Sequence, residues 1–394
     1  MPGFPPSELN EGCTLPPDAR VIGLVFYGRK EFVSILDLYL KRNLRVNGGL
    51  LDEVIFVVKT NKTHDLEYLD ELLSQQPQYS KYIPSEGKPS GDVCVPSVPS
   101  ITQDLKLDWC TDKTGPFDGW VSSWKAVVEP QSIYIKIDDD IVYIEDSTIP
   151  ALCKKLVENP QYFAVSANVV NGGFTSWLHH RLGVYAPYWP ETRSASATSA
   201  HEMSKIPCWR PSKLPPHTER SEGASGFCAD GTTPAPFQGH RWLPLRSDPA
   251  KPRKELPNDT VIFDAWGPNT ENWAVGAQTH YSFLQHLEQN TTWRYKFDTW
   301  NMDHMRLAIT FLAIRGKDII DSFPFSCDDD EYYLTCIRPK ELARPVVING
   351  TGLAAHFAFN PQRVAHDGKS IMWTDLLDRY RLVAAEIAGM VLKN

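Results

Sequence analysis

Three carboxylates in a row, Asp138-Asp139-Asp140, interrupt an otherwise apolar run, Tyr134-Ile-Lys-Ile-Asp-Asp-Asp-Ile-Val-Tyr-Ile144. An apolar, β-branched segment of this kind suits a central strand of an α/β sheet, whose two faces are both covered. Charges at its end fall at the carboxyl edge of the strands, where open α/β sheets receive ligands. Three acids packed there repel one another unless something positive binds them. Oxygen-rich sites suit hard divalent ions such as Mg2+ and Mn2+. The chemistry expected is therefore a metal-and-phosphate site rather than a solvated acidic turn. Strand alternation sets Asp138 and Asp140 on one side, provided the strand does not break before them. One or two of the acids can ligate an ion while another, such as Asp139 or Asp138, accepts hydrogen bonds from a sugar or ribose hydroxyl. Lys125 precedes the strand, within reach of a phosphate or of solvent. Asp328-Asp-Asp-Glu331 repeats the acidic theme as a loop or helix start and is a rival metal site. His179-His180-Arg181 reads as a polar surface turn that could meet an anion.

The elements that position these residues follow from periodicity. Val21 to Tyr27 and Val54 to Val58 are buried strands, with helical spacing over Lys30 to Leu44 and Asp65 to Leu73 between and after them. A looser stretch spans 76–112. Gly119 to Val128 reads as a helix feeding the acidic strand. Ile149 to Glu158 reads as a helix and Phe163-Ala-Val-Ser as a strand. Trp273 to Leu287 and Asp303 to Ile314 carry helical spacing, the latter stopped by Gly316 and followed by strand-like Ile319-Ile320. Val346 to Ile348 and Leu353 to Phe359 read as short strands. Alternating strands and helices predict an α/β fold, a mostly parallel sheet of Rossmann type flanked by helices. Residues 1–19 read as a flexible tail or stalk, and 20–394 as one domain, which the resemblance given below implies is catalytic. That domain carries a Pro- and Ser-rich insertion at about 187–260 and a C-terminal amphipathic helix over 374–391.

Ile-Lys-Ile-Asp-Asp-Asp after several β/α units resembles the DxD signature of the GT-A glycosyltransferases, with Asp at the x position as well. The resemblance covers about 20–180 and 262–360. It implies a mixed, mostly parallel GT-A-like sheet and transfer of a sugar from a nucleotide-sugar donor to a hydroxyl-bearing acceptor. It implies Mn2+ or Mg2+ held by Asp138 and Asp140 against the donor diphosphate, the ion acting as a Lewis acid on the leaving group. Trp300-Asn-Met-Asp303-His-Met-Arg306-Leu is similar to the family's xED segment, which makes Asp303 the candidate base and the reaction inverting. Met302 stands where that segment usually has Glu. The other reading of Asp303 is a helix-start acid favoured by the helix dipole. His356, in Gly352-Leu-Ala-Ala-His-Phe, matches the late histidine that completes the metal shell in many such enzymes, or is a core histidine. Tyr27-Gly28-Arg29 ends the first strand where the family binds the nucleotide. Tyr27 would stack on the base, Gly28 would allow close approach and Arg29 would meet phosphate. The stretch Asp264-Ala-Trp-Gly-Pro-Asn-Thr270 with Glu271 and Trp273 reads as an acceptor-contacting loop. The alternatives are a metal-dependent nucleotidyltransferase and a non-catalytic carbohydrate-binding domain.

The bulk composition narrows the partners. Hydrophobic residues at 42% and charged residues at 22% exclude global disorder. A net charge of -8 argues against nucleic acid as a partner. The opening Met1-Pro-Gly-Phe-Pro-Pro-Ser lacks the features of a signal peptide. Either the protein is cytoplasmic, or a membrane anchor precedes it. Sequons at Asn61, Asn258, Asn290 and Asn349 tilt the expectation toward a glycoprotein of the secretory pathway, in the Golgi lumen. The eight cysteines contain no CxxC pair, which argues against a zinc site and leaves disulfides or free thiols open.

Overall fold

A computed structural model of the protein describes residues 18–84, 120–192, 210–217, 227, 231–245 and 270–389. The first apolar run forms strand β1 (Val21–Tyr27), buried along its whole length. It leads into α1 (Lys30–Asn43), β2 (Glu53–Val58), α2 (Thr63–Gln75) and β3 (Tyr79–Tyr82). The acidic run splits into β4 (Ile133–Asp138) and β5 (Ile141–Ile144), followed by α3 (Thr148–Glu158), β6 (Ala164–Val170) and α4 (Gly173–Arg181). Next come β7 (Tyr188–Pro190), β8 (Trp242–Pro244), α5 (Trp273–Glu288), β9 (Trp300–Asn301), β10 (Phe311–Arg315) and α6 (Gly316–Ile320). The long β11 (Val346–His356) and α7 (Leu376–Ile387) complete the described chain.

Among the described residues one sheet runs in the order β3-β2-β1-β4-β10-β6-β11-β5, with β9 beside β11. Strands β1, β2, β3 and β4 pair in parallel, as do β6 and β11. Strand β10 lies antiparallel between β4 and β6, and β5 and β9 run antiparallel to β11. The fold is α/β: a mixed, mostly parallel sheet flanked by helices, consistent with a Rossmann-like arrangement. One apolar layer packs α1, α2, α3, α5 and α7 against one face, through residues such as Phe32, Leu69, Leu152, Trp273 and Tyr380. On the other face Phe26, Tyr134 and Leu312 pack with Trp124, Phe174, Met302 and Ile309. Both layers exclude water from the sheet, which is why its inner strands are apolar throughout.

Several elements differ from those the periodicity predicts. Asp303 to Ile314 is not a helix: the chain is irregular up to Thr310 and then enters β10. The run Leu307-Ala-Ile-Thr-Phe-Leu-Ala-Ile314 is apolar on every side, so its periodicity cannot separate a buried helix from a strand covered on both faces. Gly316 opens α6 rather than stopping a helix, and Ile319-Ile320 belongs to that helix. A Cβ at Gly316 would stand 2.0 Å from the Glu129 carbonyl oxygen, so glycine is required by close approach. The segments around Val346 and Leu353 are one strand whose register to β6 shifts between Asn349 and Leu353. Val121–Ala126 is a 3-10 turn rather than the start of an α-helix. His179-His180-Arg181 closes α4, and His179 is fully buried rather than a surface turn. The C-terminal helix is shorter than 374–391.

Within the expected insertion, β7 and β8 pair as a small two-stranded sheet that buries Trp242. Of the rest of that segment, residues 193–209, 218–226, 228–230 and 246–260 lie outside the described residues, as do the tail over 1–17 and the Asn258 sequon. Asn349 is buried in β11 and donates to the Ala151 carbonyl, so it is closed to a glycan in the folded chain, whereas Asn61 and Asn290 are exposed. Among the described residues no helix is long and apolar enough to cross a membrane.

Candidate active site

Strand β4 ends at Asp138, and Asp139-Asp140 form the turn into β5. This break decides where the three carboxylates go. Asp138 keeps the side of the sheet that alternation assigns to Lys136, two residues earlier, and the two pair there. Lys136 is almost fully buried and its Nζ lies 4.9 Å from the Phe26 ring centroid. Asp139 and Asp140 instead both meet Arg29, which follows β1. Arg29 Nε donates to Asp139 Oδ2 at 3.0 Å, its Nη2 donates to Asp139 Oδ1, and the same Nη2 donates to Asp140 Oδ2 at 2.9 Å. The Gly28 amide adds a bond to Asp139 Oδ2 at 3.0 Å. The expected sharing of one side by Asp138 and Asp140 is therefore replaced by an Asp139–Asp140 pair, because the strand ends at Asp138 and both later acids lie in the turn.

His356 reaches the same place from the far end of β11. Its Nε2 stands 3.3 Å from Asp140 Oδ1, and its Nδ1 lies 3.2 Å from the Asn171 carbonyl oxygen. The main chain closes the contact, since the Phe357 amide donates to the Asp140 carbonyl at 2.9 Å. A carbonyl oxygen can only accept, so Nδ1 carries the proton and Nε2 turns toward the carboxylate.

Burial and charge then set the titration of the cluster. Burial pushes Asp139 up to about 6, with the Arg29 guanidinium working the other way. Burial also raises Asp138, opposed by Lys136 and reinforced by the charge of Asp140. For Asp140 burial is overcome: His356 and Arg29 hold its carboxyl below the usual carboxylate range. Burial lowers His356, but the facing Asp140 carboxylate outweighs it and leaves the imidazole above its ordinary value.

Among the described residues no group of three His, Cys, Asp or Glu side chains converges as a metal site. Asp140 and His356 nonetheless fit two positions of one. Two donors about 2.1 Å from a single octahedral ion stand roughly 3 Å apart when adjacent, and Mg2+ commonly takes only one or two carboxylates, leaving the rest to water and substrate phosphate. A lone-pair nitrogen facing a buried carboxylate also calls for a positive charge between them, either a proton or an ion.

The other expected site residues fall elsewhere. Tyr27 points into the core, its hydroxyl donating to the Asp65 carbonyl and its ring edge-on to Phe56, so it is closed to a nucleobase. Gly28 does allow a close approach, but to Asp139: a Cβ there would lie 3.1 Å from Oδ2. Lys125 is exposed, and the lysine that reaches inward beside the same turn is Lys59, whose Nζ donates to Ser123 at 3.1 Å. Trp273 is fully buried in the core rather than lining an acceptor loop; Glu271 is exposed, and residues 264–269 lie outside the described chain.

Asp303 is exposed in a left-handed turn at φ 46, with only its backbone amide bonded, to Asn301 Oδ1 at 2.9 Å. Trp300 and Asn301 pair antiparallel with Ile348 and Val347, and the Met302 amide donates to the Val346 carbonyl. The chain thus enters Asp303 moving toward the opposite end of β11 from His356. The second acidic run takes the position near the triplet. Asp329 caps a short helix by accepting from the Tyr332 amide at 2.8 Å, and pairs with Arg306 at 2.9 Å. Glu331 pairs with Arg306 at 2.8 Å, and burial pushes it up to about 7. Asp330 is buried, accepts from Trp124 Nε1 at 2.8 Å and feels the charges of both Lys136 and Asp138. Burial raises its pKa, while the Trp124 bond and Lys136 restrain it. These acids are engaged by protein partners, which argues against a second metal site. Lys136 was missed as part of the site, and Asp330 was read only within the rival acidic run; the two-residue spacing of Lys136 and Asp138 on one strand was the available signal for the lysine. Compared with protein-family models and with curated proteins, the sequence matches none of them.

Proposed function

We propose that this protein transfers a sugar from a nucleotide-sugar to a hydroxyl acceptor with a divalent cation, Mn2+ or Mg2+. The observation that carries the reading is the 3.3 Å approach of His356 Nε2 to Asp140 at the carboxyl edge of the sheet, beside two further aspartates. Asp140 and His356 would hold the ion, which when bound supplies Lewis-acid neutralisation of the departing diphosphate. Arg29 fixes Asp139 and Asp140 in place, so the cluster is organised before substrate arrives. Asp138, a quarter exposed at its side chain and oriented by Lys136, accepts hydrogen bonds from a donor hydroxyl. Asp330 takes the acceptor proton. It is the carboxyl group of the second acidic run that shares charge with Asp138 and Lys136, and burial raises its affinity for a proton. This assigns it the role that resemblance gave to Asp303.

The test is a thermal-shift and calorimetric screen of nucleotide-sugars with and without Mn2+. A ligand that binds only the native state raises Tm, and the shift grows with the logarithm of ligand concentration over Kd. The expected result is stabilisation by a nucleotide-sugar that disappears with a chelator and in the Asp140→Asn variant. No stabilisation by any donor would sink the reading. Release of pyrophosphate in place of the nucleoside diphosphate would move the assignment to nucleotidyl transfer.

A further inference from the structure

Asn171 stands just past β6 in a left-handed conformation, φ 55, with 3% of its surface exposed. Its carbonyl oxygen meets His356 Nδ1 at 3.2 Å, and its side-chain Nδ2 donates to the carbonyl of the next residue, Phe357, at 3.0 Å. One residue therefore holds both the ring and the backbone of the His356-Phe357 step. The same Nδ2 donates to Gln362 Oε1 at 2.9 Å, and Gln362 Nε2 returns a bond to Asn171 Oδ1 at 3.3 Å. Gln362 Oε1 also accepts from the Phe359 amide at 3.2 Å. Every acceptor around Nδ2 is an oxygen, so the orientation of both amides is fixed by their partners. Gln362 is 1% exposed and packs against α5 at Gly276, where a Cβ would come within 3.1 Å of its amide. A buried reciprocal amide pair of this kind has a single low-energy arrangement, because breaking it leaves polar atoms unsatisfied.

We propose that Asn171, locked to Gln362 through their paired amides, is a positioning residue that fixes His356 as its Nδ1–H form and presents Nε2 to a divalent cation beside Asp140. The cation part rests on the function proposed above. The imidazole ring can otherwise rotate about χ2 or change tautomer, and either would withdraw the Nε2 lone pair. Outer partners of a ligating histidine act in this way, orienting the ring and raising its basicity. The geometry also accounts for the residue type: the left-handed backbone favours Asn, and only an amide can donate twice while its own carbonyl accepts from Gln362.

The experiment uses the full chain with Asn171→Asp and Gln362→Glu. Asp tolerates the left-handed conformation and removes both donors of Asn171; Glu removes the return donor of Gln362. Two readouts are taken: the 15N signature of His356 without metal, assigned by its absence in His356→Gln, and Mn2+ affinity by paramagnetic titration. At a pH high enough to deprotonate the imidazole, the expected result is a single Nδ1–H signature in the wild type, lost in Asn171→Asp and weakened in Gln362→Glu. Mn2+ affinity should fall roughly 10–100-fold in the first variant. An unchanged His356 signature in both variants overturns the proposal, whatever the metal does. A wild type that binds no Mn2+ overturns the metal-site reading instead, and the ring signature still decides the positioning role. Circular dichroism of each variant separates either result from unfolding.

Discussion

Arg29 grips both oxygens of Asp139 with one edge of its guanidinium, Nε to Oδ2 at 3.0 Å and Nη2 to Oδ1, with the arginine side chain 22% and the aspartate 6% exposed. A planar fork matched to a carboxylate in this way is something a lysine cannot reproduce. The same guanidinium also reaches Asp140, so two of the three acids share one cation. Arg29→Met should therefore leave two buried carboxylates short of a counter-charge and cost about 3–5 kcal/mol, read by urea unfolding. An ion that binds beside Asp140 would restore part of that charge. Mn2+ is thus expected to raise the Tm of Arg29→Met by more than it raises the wild type's. Equal shifts would mean that the ion does not share the field of these acids.

Much of this arrangement is written in the sequence, and the missing parts have identifiable causes. β1 and α1 are legible almost to the residue, because seven apolar residues closed by Gly28 are too few for a buried helix and the stripe over Lys30 to Leu44 has helical spacing. The acids at 138–140 were legible as a strand end, but not their division between Lys136 and Arg29. That division depends on the strand ending at Asp138, and a one-residue change of register sends every later side chain to the other face. The segment after Asp303 failed for another reason. Its residues are apolar throughout, and only the slot between β4 and β6 makes Phe311–Arg315 a strand. Asn171 carried no signal at all: its role follows from contacts with residues 185 and 191 positions away.

The proposed acceptor base separates two aspartates that sequence alone cannot rank. Asp330 lies under Trp124 and within the field of Asp138, whereas Asp303 is exposed in a turn. Asp330→Asn should lower turnover by about 10²–10⁴-fold while sparing donor binding, the range expected for a lost general base. Asp303→Asn should leave turnover within about twofold, as for a surface substitution remote from such features. Trp124→Phe sharpens the test. It removes an N–H donor that favours ionised Asp330, so the acidic limb of kcat/KM should move to higher pH. A limb that stays in place, with Asp303→Asn inactive, would return the base to Asp303.

Glu331 gives a pH signature of the fold itself. Burial raises its folded-state value to about 7 from an ordinary 4.5, with Arg306 opposing. Between those values the folded chain retains a proton that the unfolded chain has released. Stability therefore falls as pH rises through this window, by on the order of 3 kcal/mol at the upper limit, since one pKa unit corresponds to about 1.4 kcal/mol. Glu331→Gln should flatten the dependence of urea-unfolding stability between about pH 4.5 and 7. An identical slope in wild type and variant would place the titrating group elsewhere.

A buried ion pair remote from the triplet provides the control for purely structural charge. Arg379 on α7 and Asp375 just before it are 0% and 2% exposed at their side chains, with Arg379 Nε donating to Oδ2 at 2.9 Å. The Tyr281 hydroxyl donates to the other carboxylate oxygen, which ties α7 to α5. Burial raises Asp375, and Arg379 restrains it. Removing one partner leaves the other charge uncompensated inside the protein, so Asp375→Ala should cost about 3–5 kcal/mol in urea unfolding. Tyr281→Phe should cost only about 1 kcal/mol, the usual net worth of one hydrogen bond. Neither group touches Asp140 or His356, so Mn2+ affinity of the folded fraction should not change in either variant. A loss of Mn2+ affinity in Tyr281→Phe, where the fold is nearly intact, would show that α5 and α7 couple to the metal site through His280, whose ring bridges the Tyr380 hydroxyl at 2.6 Å and the Phe357 carbonyl at 2.8 Å.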